Sequence, residues 1–323
     1  MRFATYEPAP DAAPRAALVE ESVLRPLPEG VTLLSLIEQG ADTLRAAGER
    51  AAAEGERVPV PDVRLLPPLK PPSIRDFVAY EAHIEGMVRG MDALGAPPEE
   101  WYPVPAFYFT NPHCLVGAYD DVEMPHLAKV FDLEAEIGVV IGKPGKNLTV
   151  EGAHEAIIGF TIFNDWSARD LQKPEKKLGL GFSKGKDMAN TLGPYLVTAD
   201  EVEQHRMADG YLDLSITVEL NGEVIGEDST ASMSWTFEEL VVYASRGTWV
   251  MPGDVLGSGT CGGGCLGEIW GRRGEQVPPP LTPGDVVTIS VEGLGTIGNR
   301  IVENTGRLVE VPPARRRDRG RRH

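Results

Sequence analysis

VFDLEAEIGVVIGK, residues 130–143, alternates polar and apolar side chains and then runs into an apolar segment. The pattern predicts a half-buried β-strand, in which side chains two residues apart share a face. Asp132, Glu134 and Glu136 would then point to one side, with neighbours roughly 6.6–7 Å apart. Carboxylates that face a core repel one another unless a cation lies between them, and their oxygens suit Mg²⁺, Ca²⁺ or Mn²⁺. The alternative is the solvated outer face of an edge strand, which needs no cation.

The composition is that of a globular protein with an excess of acid. The 323 residues are 42% hydrophobic and 24% charged, which suits one large domain with a smaller companion. The net charge of −17 argues against a nucleic-acid partner. The sequence also contains no apolar run long enough to predict a membrane-spanning helix. The segment RRRDRGRRH at 315–323 is basic, in contrast to the acidic rest of the chain. It has no apolar periodicity and is predicted to be disordered.

Cysteine usage and the first residues bear on the compartment. The three cysteines make no disulfide framework, which fits a reducing environment. MRFATYEPAPD lacks the apolar region of a signal peptide. We therefore expect a cytoplasmic protein.

The first 62 residues are predicted to form a small α+β domain that ends in a Pro-rich linker. Strand-like MRFATY and ALVEESVLR precede a helix near Leu33–Ala53. Val58–Pro72 is dense in proline, which is excluded from helix interiors and central strands. This segment is the natural domain boundary.

A helix is expected from Ser73 to about Leu94. On it, Asp76 and His83 are seven residues apart, so both would lie on nearly the same face. An alternative is that Asp76 caps the helix with Ser73 and that His83 is an ordinary surface histidine.

A second apolar strand, GFTIFNDW, ends at Asp165, and WSARDLQ then has the pattern of a helical turn. Asp165, Arg169 and Gln172 would share one helical face. A carboxylate with a guanidinium and an amide above it could complete a metal and oxyanion site. The alternative is a simple Asp–Arg pair worth a few tenths of a kcal/mol.

Two glycine-rich segments follow. LGLGFSKGKDMANTLGP, residues 178–194, is a Gly-broken loop that carries Lys184 and Lys186. GSGTCG, residues 257–262, matches GxGxxG, but more Gly and Cys follow instead of a helix, so we reject a nucleotide site.

The second half of the chain is rich in short strands. Asn221-Gly222 predicts a type I′ hairpin turn, and Thr236 with Glu239 predicts a capping box. Many short strands after residue 105, with few long helices, favour an α+β fold with a rolled or sandwiched β core and peripheral helices.

Six segments together resemble the fumarylacetoacetate hydrolase family over residues 63–304. They occur in this order: RDFVAYEAH, DLEAEIGVVIGK, GFTIFNDWSARDLQ, GKDMANTLGP, GDVLGSGT with CLGEIW, and LTPGDVVTISVEGLGTIGN. The resemblance implies a mixed β-roll core in a catalytic domain at 63–310, between the N-terminal domain and a tail at 311–323. It also implies a homodimer that binds Mg²⁺, or else Ca²⁺ or Mn²⁺.

The resemblance assigns roles to individual residues. The implied metal ligands are Asp76, Glu134, Glu136 and Asp165. The implied catalytic residues are His83 with its partner Glu268, and Lys186, Arg169 and Gln172, which would face developing negative charge.

The implied activity is hydrolysis of a C–C bond in acylated 1,3-dicarbonyl acids of the fumarylacetoacetate or acylpyruvate type, in the catabolism of aromatic compounds. The alternatives are an oxaloacetate-type decarboxylase or tautomerase, a hydratase, or a silent metal-binding scaffold. The chain departs from the family pattern at Val78, in the segment from Gln172 to Lys186 and in the loop from Thr260 to Glu268. These positions shape the acyl pocket, so the resemblance carries over the metal site and the His83–Glu268 pair better than the substrate.

Overall fold

The computed structural model describes residues 1–54, 56–89 and 96–315. The strands in these ranges are β1 Arg2–Glu7, β2 Arg15–Glu20, β3 Val23–Pro26, β4 Val58–Pro59, β5 Arg64–Leu66, β6 Ile74–Phe77, β7 Phe107–Thr110, β8 Leu115–Val116, β9 Val122–Met124, β10 Phe131–Asp132, β11 Ala135–Ile141, β12 Gly145–Lys146, β13 Ile157–Asp165, β14 Ser167–Ala168, β15 Asn190–Thr198, β16 Ser215–Leu220, β17 Glu223–Ser229, β18 Trp249–Val250, β19 Val255–Gly257, β20 Val286–Val291 and β21 Gly295–Glu303. The helices in these ranges are α1 Leu33–Glu38, α2 Ala41–Glu54, α3 Glu81–Arg89, α4 Val150–Ala156, α5 Arg169–Lys176, α6 Ala199–Val202, α7 Phe237–Ser245 and α8 Leu266–Arg273. The helix end expected near Leu94, and residues 316–323 of the expected tail, lie outside the described residues.

Two mixed sheets build the fold. The larger, twelve-stranded sheet has the order β4-β3-β2-β1-β15-β13-β11-β19-β6-β7, with β5 beside β1 and β8 beside β15. The smaller has the order β17-β16-β20-β21-β9. The largest buried cluster joins Ile137 and Ile162 of the larger sheet to Val218 and Ile289 of the smaller, and Leu240 of α7 contributes to it. The expected α+β fold with a mixed β core and peripheral helices is confirmed.

The N-terminal residues extend the larger sheet. Strand β1 pairs with β15, placing Phe3 opposite Leu196. Helices α1 and α2 cover this part of the sheet, and the break at Gly40, with φ of +103°, divides the single helix expected there. The predicted boundary at residue 62 therefore falls within one continuous sheet, and the division into domains stays a prediction.

The helix expected from Ser73 is wrong at its start. Residues 74–77 form strand β6, which pairs in parallel with β19 and antiparallel with β7, and the helix begins only at Glu81. Ile74 and Phe77 are both buried, so pairing on two edges and burial outweigh the local capping signal.

Strand β11 is buried on both faces, so the half-buried strand predicted from its alternation is wrong. The alternative of an edge strand is wrong too, because β13 and β19 pair with its two edges. Glu136 therefore points into the protein. A buried carboxylate requires compensation from neighbouring groups.

Two local predictions are confirmed. Asn221 and Gly222 both have positive φ, 55° and 82°, as a type I′ turn requires. The Thr236 side chain accepts from the Glu239 backbone and the Glu239 side chain accepts from the Thr236 backbone, which completes the capping box of α7.

Candidate active site

Four acidic side chains meet at neighbouring strands of the larger sheet. Asp76 lies on β6, Glu136 on β11 and Asp165 at the end of β13, while Glu134 immediately precedes β11. Each contributes one carboxylate oxygen to a group whose members lie within 4.8 Å of one another, and all four side chains are buried. Strand β19 runs between β6 and β11, and a Cβ at its Gly257 would come within 2.6 Å of Asp76 Oδ1 and 2.8 Å of Glu136 Oε2. Glycine at this position leaves room for the carboxylates, which we call the carboxylate quartet.

Three members of the quartet resist ionisation. Burial and then the adjacent Asp76 carboxylate raise the pKa of Glu136 well above its usual range. Burial also raises the pKa of Asp165 and the pKa of Asp76. Like charges in a dry site cannot all be carried at once. Full ionisation of the quartet thus requires additional positive charge.

Glu134 is the exception because two cations contact it. Arg169 Nη1 lies 2.8 Å from Glu134 Oε1, and Lys186 Nζ contacts Oε2. Although burial opposes ionisation, Arg169 and Lys186 hold the pKa of Glu134 well below its usual range. Burial would also favour a neutral lysine, yet Asp165 and Glu134 raise the pKa of Lys186 above its ordinary value. These two carboxylates therefore favour the charged form of the buried Lys186 side chain.

The neighbouring lysine has a different environment. The Lys184 side chain is 72% exposed and pairs with Asp187 at 2.5 Å, whereas Lys186 is buried against Glu134 and Asp165. The structure thus brings Lys186, and not Lys184, into the site.

The quartet fits a hard divalent cation. Asp76 Oδ1 and Asp165 Oδ1 are buried and have no hydrogen-bond partner within the described part of the chain. The quartet faces the Lys186 ammonium, and the Arg169 guanidinium is shared with Asp132, so a fully ionised quartet would carry more negative charge than these two cations neutralise. Mg²⁺, Ca²⁺ and Mn²⁺ favour such an all-oxygen donor set.

His83 and Glu268 stand beside the quartet on helices α3 and α8, which pack against each other. His83 Nδ1 lies 3.4 Å from Glu268 Oε2, and His83 Nε2 lies 4.0 Å from Glu134 Oε1. Glu268 is completely buried, and its Oε1 accepts from Gly263 N at 2.9 Å and from Arg272 Nη2 at 2.7 Å. These two donors fix the carboxylate and leave Oε2 directed toward the imidazole.

The single helical face expected for Asp165, Arg169 and Gln172 is wrong, because Asp165 ends a strand and β14 separates it from helix α5. Arg169 and Gln172 nevertheless reach the same cavity from the first turn of α5. Gln172 is buried, and its Nε2 donates to Gly185 O at 3.2 Å, which ties α5 to the loop that carries Lys186.

A cavity of about 400 Å³ connects these groups. Its polar lining is formed by Asp76, Glu134 and Glu136 of the quartet and by His83, Arg169, Gln172 and Lys186. Its apolar wall is formed by Phe77, Val78, Ile84, Met87, Phe107 and Phe182. The cavity therefore offers both charged and apolar surface to a bound molecule.

Sequence reasoning missed Tyr108. Its hydroxyl donates to Asp165 Oδ2 from strand β7, and burial raises the pKa of Tyr108 well above the ordinary range. The FYFT segment carries no signal for this contact, since only the pairing of β7 with β6 brings the tyrosine to the site.

Asp132 was expected on the same face as Glu134 and Glu136, but this expectation is wrong. The chain leaves regular strand geometry between β10 and β11, and Asp132 instead accepts from Leu266 N at 2.8 Å and from Gly267 N at 2.9 Å. It also pairs with Arg169 at 2.8 Å. Asp132 thus holds the start of helix α8, where a carboxylate suits the helix dipole, and positions Arg169.

The profile of the fumarylacetoacetate (FAA) hydrolase C-terminal family matches residues 73–302. This match covers more than half of the chain and includes every element of the site. The protein belongs to the fumarylacetoacetate hydrolase family.

Relatives in the family carry different activities in their names. Oxaloacetate tautomerase FAHD2A, mitochondrial, from Homo sapiens is 32% identical over 274 residues, which are 84% of this chain and 80% of the human protein. The structure of a fumarylacetoacetate hydrolase from the psychrophilic Exiguobacterium antarcticum is 27% identical with a TM-score of 0.73, covering 94% of this chain and 100% of that one.

A third similarity is to a maleylpyruvate hydrolase from Sphingobium sp. SYK-6, solved in complex with manganese(II) ion and pyruvate. It is 21% identical with a TM-score of 0.71, covers 94% of this chain and 100% of that one, and supports the fold alone. No helix in residues 1–54, 56–89 and 96–315 combines the length and apolar character that a bilayer crossing needs.

Proposed function

We propose that this protein is a metal-dependent hydrolase that cleaves a C–C bond in acylated 1,3-dicarbonyl acids of the fumarylacetoacetate or acylpyruvate type. The observation that carries the proposal is the position of His83, with Glu268 3.4 Å behind it and Glu134 4.0 Å in front of it. A base held between an orienting carboxylate and the quartet is the arrangement needed to activate water. We place the reaction in the catabolism of aromatic compounds.

Asp76, Glu134, Glu136 and Asp165 would hold the cation, for which Mg²⁺, Ca²⁺ and Mn²⁺ are the candidates. When bound, such an ion supplies Lewis-acid polarisation of the substrate's carbonyl oxygens. The remaining roles belong to the chain's own residues.

His83 takes a proton from a water molecule, and the resulting hydroxide attacks the carbonyl carbon of the acyl group. Glu268 orients the imidazole and stabilises its protonated form. The electron pair of the broken C–C bond passes to the dicarbonyl part of the substrate, which leaves as an enolate and is then protonated.

Lys186 and Arg169 stabilise the negative charge that develops in this step. Both lie in a water-poor site, where fixed charges act more strongly than in bulk water. Gln172 lines the same cavity and lies on α5 near Arg169, so we assign it to the same group. The apolar wall around Phe107 and Phe182 would accept the acyl chain.

Oxaloacetate tautomerisation is the second candidate, because the human relative that is 32% identical carries that name. In that reaction His83 would move a proton between carbon and the enol oxygen, and no water would be activated. A decarboxylase or hydratase would likewise use the cation site. We also propose a cytoplasmic homodimer, as expected from the sequence.

A substrate panel tests the proposal. Fumarylacetoacetate, simple acylpyruvates and oxaloacetate are each incubated with the protein and either Mg²⁺ or Mn²⁺, and products are identified by mass spectrometry and enol absorbance. The proposal predicts two acids, or an acid and a ketone, from an acylated substrate. If only the keto and enol forms of oxaloacetate interconvert, the second candidate replaces it.

A further inference from the structure

A second, chemically different group of possible metal ligands adjoins the quartet. His83, Glu134 and Cys265 each contribute one ligand atom to a group whose members lie within 4.8 Å of one another, and all three are buried. Cys265 Sγ lies 3.7 Å from His83 Nδ1. Whereas the quartet offers oxygen alone, this group offers sulfur, nitrogen and oxygen.

The spacing suits zinc. With a Zn–S distance of about 2.3 Å and a Zn–N distance of about 2.0 Å, tetrahedral coordination separates sulfur from nitrogen by about 3.5 Å. The observed 3.7 Å between Cys265 Sγ and His83 Nδ1 is close to this value. Glu134 is the donor that must move: its Oε1 lies 4.0 Å from His83 Nε2, not from the Nδ1 that faces Cys265, and it pairs with Arg169 at 2.8 Å.

A second observation points to a cation at this position. Glu268 Oε2 is fully buried beside His83 and has no hydrogen-bond partner within the described residues. Burying an unpaired carboxylate oxygen is costly. A cation bound by His83 would lie next to this carboxylate and would reduce that cost.

We propose that Cys265, His83 and Glu134 form an inhibitory site for borderline-soft divalent cations, of which Zn²⁺ is the representative. Binding converts the Cys265 thiol to a thiolate and releases its proton to solvent. The imidazole is then a metal ligand and no longer accepts a proton from water. Mg²⁺ leaves this site empty because it rarely takes sulfur or imidazole ligands. The inhibition rests on the proposed function, whereas the binding does not.

Cobalt spectroscopy tests the binding without reference to activity. Full-length protein, stripped of metal and supplied with excess Mg²⁺, is titrated with Co²⁺, which takes the same ligands as Zn²⁺. The expected signature is a near-ultraviolet charge-transfer band from thiolate to cobalt. Cobalt held by carboxylates alone gives no such band, so the quartet does not contribute to it.

Matched cysteine variants identify the ligand. The band should persist in Cys114→Ser and Cys261→Ser and disappear in Cys265→Ser. The Cys265 side chain accepts a hydrogen bond from Glu268 N at the start of α8, and a serine can accept the same bond. Cys265→Ser should therefore keep the start of this helix, which an unchanged unfolding temperature would verify. A band that survives in Cys265→Ser, or no band in the wild type, overturns the site.

The inhibition is tested on the Mg²⁺-loaded enzyme with added Zn²⁺. The Zn²⁺ concentration for half inhibition should rise at least about tenfold in Cys265→Ser relative to Cys114→Ser. If the cobalt band behaves as expected but Zn²⁺ inhibits both variants equally, the binding stands and the inhibitory role is wrong. If no substrate is turned over at all, the proposed function fails while the cobalt result still decides the site.

Discussion

His83 approaches Glu268 because helix α3 carries a glycine at the crossing with α8. A Cβ at Gly86 would lie 2.3 Å from Glu268 Cγ, closer than side chains tolerate. The imidazole and the carboxylate are thereby held 3.4 Å apart, although they are distant in the sequence. The pair is a product of helix packing, and its chemistry can be tested separately from the cation site.

Replacing His83 by alanine should abolish cleavage while leaving the affinity for Mg²⁺ nearly unchanged. Loss of a general base typically costs about 10²–10⁴ in rate, and His83 is outside the carboxylate quartet. Steady-state kinetics with isothermal titration of Mg²⁺ measure both effects. The exposed His126 provides the control as His126→Ala. Full hydrolysis by His83→Ala would contradict the proposed role.

Glu268→Gln should also lower kcat, but less, because an amide can still contact the imidazole. The split between kcat and KM separates orientation from mere structural support. Loss of the orienting carboxylate should lower kcat with little change in KM, because Glu268 is proposed to act on the imidazole and not on the substrate. An unchanged kcat together with a lowered unfolding temperature would indicate a structural role alone.

Lys186→Met should lower kcat more than it raises KM. The buried ammonium contacts Glu134 and Asp165 and lines the cavity, so it is available to developing negative charge. A loss of about 2–4 kcal/mol in transition-state stabilisation is expected, as for an oxyanion-hole donor. Lys184→Met, two residues away and exposed, is the matched control. If Lys184→Met is the damaging change, the assignment of roles in this loop is wrong.

Chelation should remove activity, and Mg²⁺ or Mn²⁺ should restore it. Glu136→Gln should bind the cation weakly and yet keep the fold of the metal-free protein, because burial and Asp76 already raise the pKa of Glu136 and disfavour its charged form, which an amide cannot adopt. Differential scanning fluorimetry with and without Mg²⁺ measures both consequences. A metal-free wild type with full activity would exclude the proposed cation chemistry.

The stability of the metal-free protein should fall as pH rises. The pKa values of Glu136, Asp165 and Asp76 are raised in the fold, so the folded chain binds more protons than the unfolded chain above about pH 4. Their contribution to the stability of the fold is fully present below the pKa values of the unfolded chain. It is lost as the pH rises through the raised pKa values of the folded chain. The lowered pKa of Glu134 has the opposite effect, because its contribution to stability is lost as the pH falls, and this loss occurs only at lower pH.

Unfolding temperatures between about pH 5 and pH 8 test this linkage, with chelator and with Mg²⁺. Mg²⁺ requires ionised carboxylates, so the gain on adding Mg²⁺ should increase with pH. Glu136→Gln should show a shallower slope with chelator. A gain that is constant over the range would mean that the quartet is already ionised without metal.

The sequence indicates that Glu134, Glu136 and Asp165 come together, but it does not indicate the backbone geometry that brings them together. Alternation placed Glu134 and Glu136 correctly on one side, but it also placed Asp132 there. The break between β10 and β11 turns Asp132 toward helix α8, and no local pattern reveals this break.

Asp76 shows how a local signal can be overridden. Ser73 followed by Asp76 resembles a capping box, yet pairing with both β19 and β7 makes residues 74–77 a strand. The spacing from Asp76 to His83 predicts two turns of one helix, but the two residues lie on different elements. Both still reach the cavity, because β6 leads directly into α3.

Tyr108 and Cys265 could not have been selected from the sequence. Each contacts a site residue only through long-range packing, Tyr108 through the pairing of β7 with β6 and Cys265 through the contact of α8 with α3. Short sequence patterns predict periodicity and capping, but they do not predict which distant elements pack against each other.

The carboxylate quartet has a consequence for biosynthesis. Asp76 lies on β6, Glu136 on β11 and Asp165 on β13, and the strand that separates β6 from β11 is β19, which is made long after the other three. A nascent chain that ends before residue 255 therefore lacks the strand that sets the spacing of Asp76 and Glu136. The site for the proposed cation is thus complete only when synthesis is nearly finished.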